Sequence, residues 1–171
     1  FLFLIIHFIT SCSQSIDKDN INQNNNENPE FYYSKAMIEF ENENYVLALE
    51  TFKDLETKFP LSSEAVQSQI MSAFIDYIGM DYTNAIFKLD RVIKRYPSYK
   101  NNDYAYYLKA MCYYEQIENE QLDGENNILA LESFQQIVNR FPESKYARDS
   151  EQKIISINEN IAAKHMNIGF F

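Results

Sequence analysis

The chain holds two cysteines, Cys12 and Cys112, and two histidines, His7 and His165. These are the first side chains to consider as nucleophiles or soft-metal ligands. A zinc site needs several Cys or His at short spacing. Here the histidines stand at opposite ends of the sequence, and the cysteines lie 100 residues apart in unlike surroundings. No metal-binding or disulfide framework follows from them. Cys112 falls in an apolar helical stretch and reads as a small buried hydrophobe. The stretch around Asp123-Gly124 lacks the carboxylate spacing of a calcium loop. Counting back from Gly124, the alternating positions are Asn119, Gln121 and Asp123, and Ala130 stands where the bidentate Glu belongs. No Gly-rich phosphate loop occurs, and no serine has a base motif beside it. The residues therefore point to no enzyme, no cofactor and no metal.

Cys12 is different because of what precedes it. Residues 1–9 read FLFLIIHFI, an apolar run too short to span a bilayer and shaped like the h-region of a signal peptide. No Met opens the chain and no basic n-region is present, so the signal, residues 1–11, reads as clipped at its start. Ile9-Thr10-Ser11-Cys12-Ser13 resembles the lipobox of bacterial lipoproteins, with Ile where Leu is usual. That resemblance implies diacylglyceryl transfer to the Cys12 thiol, cleavage before Cys12 and acylation of the new amino group. Several acyl chains anchor stably, at about 0.8 kcal/mol per buried methylene. Ser13 in place of Asp implies an outer-membrane address. Residues 13–28 are polar and Asn-rich and cannot bury enough apolar area to order themselves. With Cys12 they read as a lipidated tether, residues 12–28.

The elements beyond the tether must then supply the function. Only 3 Gly and 4 Pro punctuate a chain that is 46% hydrophobic, which favours helices over a multi-turn β fold. The net charge is −10, and the 15 Lys and Arg are scattered, so nucleic acid is excluded as a partner. Phe59-Pro60, Tyr96-Pro97 and Phe141-Pro142 recur at spacings of 37 and 45 and end three periodic segments. Ala36, Ala48 and Pro60 are 12 apart in turn, as are Ala73, Ala85 and Pro97. In the third unit Ala130 again precedes Pro142 by 12, but Ala110 precedes Ala130 by 20, so eight extra residues separate its helices. Glu118 to Glu125 fills that gap, with Gly124 suited to a turn. Alanine at such points lets two helices cross closely. Tyr45 and Tyr82 stand three residues before the second Ala of their units. Phe52, Leu89 and Phe134 stand four after it.

This pattern resembles the tetratricopeptide repeat. It predicts an all-α, helical-hairpin solenoid, a right-handed superhelix, over residues 29–171. The repeats span about 29–62, 63–99 and 102–143, with the start of a fourth at 144–171. Helices are expected at about 30–42, 46–58, 63–78, 82–95, 102–118, 126–140 and 144–163, with Ser62 or Ser63 and Ser144 as N-caps. In tetratricopeptide folds the first helix of each hairpin lines a concave groove. The register places Tyr33, Met37 and Phe40, then Ile70, Phe74 and Tyr77, then Tyr104, Tyr107, Met111 and Tyr114 on that face. Tyr and Met combine apolar area with adaptable shape and hydroxyl groups, which suits binding of a polypeptide.

A more specific resemblance covers residue 29 to the end. The segments 95–97, 103–109 (DYAYYLK), 114–117 (YEQI), 140–149 (RFPESKYARD) and 164–169 (KHMNIG) resemble the BamD family, the tetratricopeptide lipoproteins of the β-barrel assembly machinery. The long third hairpin loop is also typical of that family. Departures are His165, where relatives carry Glu, and Phe170-Phe171, where they carry Arg followed by Tyr. The resemblance implies a non-enzymatic scaffold on the periplasmic face of the outer membrane. Its partners would be a barrel-forming subunit with POTRA domains, accessory Bam lipoproteins and nascent outer-membrane proteins. The family has about five repeats and this chain stops inside the fourth, so it reads as C-terminally truncated, with the POTRA-docking repeats absent. Two other readings remain at this point. A Tol-Pal-associated coordinator usually has a coiled coil before its repeats and no lipobox. A structural envelope lipoprotein would have no substrate groove.

Overall fold

The computed structural model describes residues 28–117 and 124–169, with side chains through residue 163. The expected signal, Cys12, the tether to residue 27, the acidic stretch 118–123 and Phe170-Phe171 lie outside the described residues. Among the described residues seven helices follow in chain order: α1 (Pro29–Glu41), α2 (Tyr45–Lys58), α3 (Ser63–Ile78), α4 (Tyr82–Arg95), α5 (Asn102–Glu115), α6 (Glu125–Arg140) and α7 (Lys145–Gly169). Among the described residues there is no strand, and no helix is long and apolar enough to cross a membrane. Each start lies within a residue of its expectation. α5 stops three residues earlier than expected, and α7 runs six residues further.

Local chemistry sets these ends. Asn28 caps α1 by accepting from Phe31 N–H at 2.7 Å, and Pro29 fills the first turn, where its missing N–H leaves no bond unmade. Ser62 caps α3 through Ala65 N–H at 3.0 Å, and Asp81 caps α4 through Asn84 N–H at 3.2 Å. Ser144 works twice: it accepts from Tyr146 N–H at 3.2 Å and donates to Asp103 Oδ2 at 2.6 Å, tying the start of α7 to α5. The second helix of every hairpin ends alike. Phe59, Tyr96 and Phe141 leave the helix at φ −131°, −128° and −132°, each just before a proline. Gly124 precedes α6 with φ −79° and open space where a side chain would sit, so its conformation does not demand glycine.

The helices pair as α1–α2, α3–α4 and α5–α6, and α7 packs on α6 as the next hairpin's first helix. Ala36, Ala48, Ala73, Ala85, Ala110 and Ala130 are wholly buried, as a close crossing of each hairpin's two helices at these alanines requires. Phe52, Leu89 and Phe134, in the same register, fill the space beside them and are also wholly buried. One cluster joins α1, α2 and Ile75 of α3. A second joins α3, α4 and α5, and a third joins α5, α6 and α7. A further set of small residues serves the contact between repeats. Ser68, Ala105 and Ser150 follow their prolines by eight residues, and all are wholly buried. Ala65, Asn102 and Ala147 follow by five. Asn102 is the polar member, 1% exposed, and its Nδ2 donates to the Tyr96 carbonyl at 2.7 Å. The amide thereby fastens α5 to the turn that ends α4. The result is a tetratricopeptide-like stack of hairpins, with α1, α3, α5 and α7 side by side.

Candidate functional site: the face of the first helices

The expected groove residues form two aromatic groups along α1, α3 and α5. Phe40 packs on Phe74 with ring centroids 5.9 Å apart, and Phe74 stacks on Tyr77 at 6.1 Å. Tyr45 and Tyr82, from the second helices, close the ends of this group at 5.7 and 5.9 Å. Tyr33 lies 5.9 Å from Phe52, and Met37 packs in the same cluster. On α5, Tyr104 and Tyr107 both pack against Tyr146 of α7, at 5.3 and 4.9 Å. Tyr114 meets Phe134 edge-on at 6.0 Å, with the Lys153 ammonium 4.2 Å from its ring centre. Met111 packs in the same α5–α7 cluster. Nine of the ten expected residues are thus part-exposed. Ile70 is the exception. It is 0% exposed in the α3–α5 core and cannot meet a bound chain. It shares its register with Tyr33 and Tyr107, whose long rings reach the surface; isoleucine ends inside.

The tyrosine hydroxyls on this face join neighbouring repeats. Tyr77 donates to Glu115 Oε1 at 3.2 Å, and Tyr107 to Asp149 Oδ2 at 2.5 Å. Tyr33 is hydrogen-bonded to Gln67. Burial pushes these hydroxyls above the ordinary tyrosine range; at Tyr77 and Tyr107 the adjoining carboxylates add to it. Tyr104 is pushed up to about 12, chiefly by burial. They serve as hydrogen-bonding groups rather than bases at neutral pH.

The recess on this face lies toward the N-terminal ends of α1, α3 and α5. Glu30, Tyr33, Ser34, Ser63, Glu64, Gln67, Tyr99, Lys100 and Asn101 line a pocket of about 430 Å³. Gln67 Oε1 is its hub, accepting from Tyr99 Oη at 3.0 Å and from Asn101 Nδ2 at 2.7 Å. Hydroxyls and amides dominate, with charge at the rim. Such a lining can exchange hydrogen bonds with a peptide main chain, while the aromatics beyond offer apolar contact. Sequence reasoning found Tyr33 alone of this set. Tyr99 sits in the turn between α4 and α5, and Gln67 and Asn101 are polar residues outside the aromatic pattern. The repeat register did carry one signal: Gln67 lies on the same face of α3 as Phe74, seven residues away. Among the described residues no group of His, Cys, Asp and Glu could hold a metal ion. Cys112 is wholly buried, and burial pushes its thiol up to about 12.

Known proteins of two kinds are similar to this chain. The solved structure of MamA (residue 41 to the end) from Desulfovibrio magneticus RS-1 superposes with a TM-score of 0.53 at 17% identity, covering 81% of this chain and 75% of that one. A MamA double mutant gives 0.52 over 78% and 76%. At that identity the likeness concerns the fold. In sequence, the outer membrane protein assembly factor BamD of Caulobacter vibrioides is 35% identical over 140 residues, 82% of this chain and 46% of the relative. The protein of the same name from Rickettsia prowazekii is 32% identical over 81% of this chain and 55% of its own length. The chain thus spans about half the length of the curated relatives it matches. The family model YfiO, outer membrane lipoprotein, matches residues 25–171, and the chain belongs to that family, whose curated relatives carry the name BamD.

Proposed function

We propose that this chain acts in outer-membrane protein assembly as a non-enzymatic scaffold that receives segments of nascent outer-membrane proteins on the face of its first helices. The observation that supports this is the convergence of Tyr33, Gln67, Tyr99 and Asn101 on one polar pocket, about two helical turns along α1 and α3 from the Phe40–Phe74–Tyr77 aromatics. It occurs in a chain whose relatives are named outer membrane protein assembly factors. A main chain bonded in the pocket and apolar side chains laid on the rings would hold an unfolded barrel segment by binding alone. Acyl chains on Cys12 hold the scaffold at the periplasmic face of the outer membrane. A barrel-forming subunit with POTRA domains and accessory lipoproteins are the partners. Mass spectrometry of the protein from membranes tests the anchor: the N-terminal peptide should begin at an acylated Cys12, and an unmodified Cys12 would refute it.

Peptides from barrel-protein C-termini test the groove. Ser34 is exposed at the pocket's edge, so Ser34→Trp fills the recess without touching the core. Binding should weaken about tenfold or more, the effect of ~1.4 kcal/mol. Gln136→Trp, on the exposed face of α6, should leave it unchanged. Equal affinity for the two variants would favour a structural lipoprotein with no substrate groove.

A further inference from the structure

A second recess lies behind the groove. Leu49, Lys53 and Glu56 of α2, Gln69 and Ser72 of α3, and Lys88 and Arg91 of α4 line a cleft of about 270 Å³. Successive helical residues turn by about 100°, so Gln69 and Ser72 lie roughly opposite Gln67 and Phe74 on α3. The cleft therefore opens away from the proposed peptide groove. It exists because Ser72 is small where α3 is flanked by two second helices, and a longer apolar residue there would fill the gap.

Its charge is unusual for this molecule. Three cations face a single carboxylate in the lining, in a chain of net charge −10. Lys88 is held in place: its ammonium pairs with Asp76 Oδ2 at 2.7 Å and donates to the Ser72 carbonyl at 3.4 Å. Lys53 and Arg91 are exposed at the mouth, Arg91 with its guanidinium 5.9 Å from the Phe87 ring centre. Glu56 is half-buried, and burial pushes its carboxyl up while Arg91 and Lys88 pull it down.

We propose that this cleft is a docking site for another polypeptide, which inserts one acidic side chain between Lys53 and Arg91. One feature selects a carboxylate over a phosphate: Glu56 would repel a dianion more strongly than a monoanion. Leu49 and the stem of Lys53 supply apolar contact for the neighbouring residues of the partner. Charged clefts of this kind speed encounter and fix register more than they raise affinity, so the contact is a weak accessory one.

The test uses the full chain, isotope-labelled for NMR, and two octapeptides that differ only in one central residue, glutamate or glutamine. The glutamate peptide should shift the amide signals of Lys53, Gln69, Ser72, Lys88 and Arg91, and 0.5 M salt should abolish the shifts. Lys53→Gln with Arg91→Gln removes two exposed charges; it should weaken binding about tenfold and lower Tm only slightly, by the part of Glu56's support that Arg91 supplies. Ser34→Trp should change nothing here, which separates this proposal from the groove. Equal binding of the two peptides, unchanged binding by the double variant, or shifts confined to other surfaces would overturn it. So would phosphatidylglycerol vesicles binding with the same Lys53 and Arg91 dependence while the peptide does not bind.

Discussion

Tyr107 on α5 donates its hydroxyl to Asp149 on α7 across 2.5 Å, and the same ring stacks on Tyr146, 4.9 Å away. One side chain thus bonds two repeats by its edge and its face. Tyr107→Phe keeps the ring and loses the bond, and should cost about 0.5–1 kcal/mol because Asp149 is exposed to water. Asp149→Asn should cost less, since an amide oxygen still accepts. Chemical denaturation of both single variants and the double would show coupling between the sites; strict additivity would mean the bond is not made in solution.

Alkaline pH should weaken the stack. Tyr104 is pushed up to about 12 by burial, and Tyr77 and Tyr107 are raised by burial and by Glu115 and Asp149 respectively. A group whose folded pKa lies above its unfolded value binds more protons in the folded state. Stability should therefore be full below pH 10 and fall as pH rises from about 10 through 12, where the unfolded chain ionises first. Tyr77→Phe with Tyr107→Phe should flatten that fall in thermal scans between pH 9 and 12. An identical slope in variant and parent would contradict the assignment.

The turns within the first two hairpins carry local strain. Glu43 and Met80, 37 residues apart, both adopt left-handed backbone at φ 62° and 61°. Gly79 stands next to one of them yet takes an ordinary φ of −78°. Glu43→Gly and Met80→Gly should each stabilise the fold by about 0.5–1 kcal/mol, less whatever the more flexible unfolded chain takes back. Tm measurements would decide it, and a fall in both variants would show that the turns differ from this description.

Cys112 should be silent in the native state. Its thiol is wholly buried between α3, α4 and α5 and pushed up to about 12, so thiolate and access are both scarce. Labelling by a maleimide at pH 7 should proceed only through opening of the stack, and should speed up at denaturant concentrations below the unfolding midpoint. Fast labelling in buffer would place the thiol at the surface.

How far the sequence revealed this molecule depends on how local each cause is. Proline after an aromatic ends a helix by its own stereochemistry, so Pro60, Pro97 and Pro142 placed the hairpins within a residue or two. Alanine at a crossing point reflects one nearest neighbour, and Ala36, Ala73 and Ala110 were legible for that reason. The face of the first helices was legible, and the pocket on it was not. Register assigned Ile70 to that face alongside Tyr33 and Tyr107, but only side-chain length decides which of the three emerges. The pocket depends on Tyr99, a turn residue whose hydroxyl meets Gln67, 32 positions earlier, and no periodicity announces such a meeting. Asn102 was equally hidden, a polar residue buried because its amide finds the Tyr96 carbonyl. Gly124 suits the turn before α6, but nothing in its backbone or surroundings requires glycine.

Hydrogen exchange tests the central claim most directly. The full chain is compared with and without a saturating peptide from the C-terminus of an outer-membrane barrel protein. Protection should appear in the first turns of α1 and α3 and across residues 98–102, where Gln67, Tyr99 and Asn101 converge, and not in α2, α4 or α6. Protection confined to those second helices, or none at saturation, would contradict the groove.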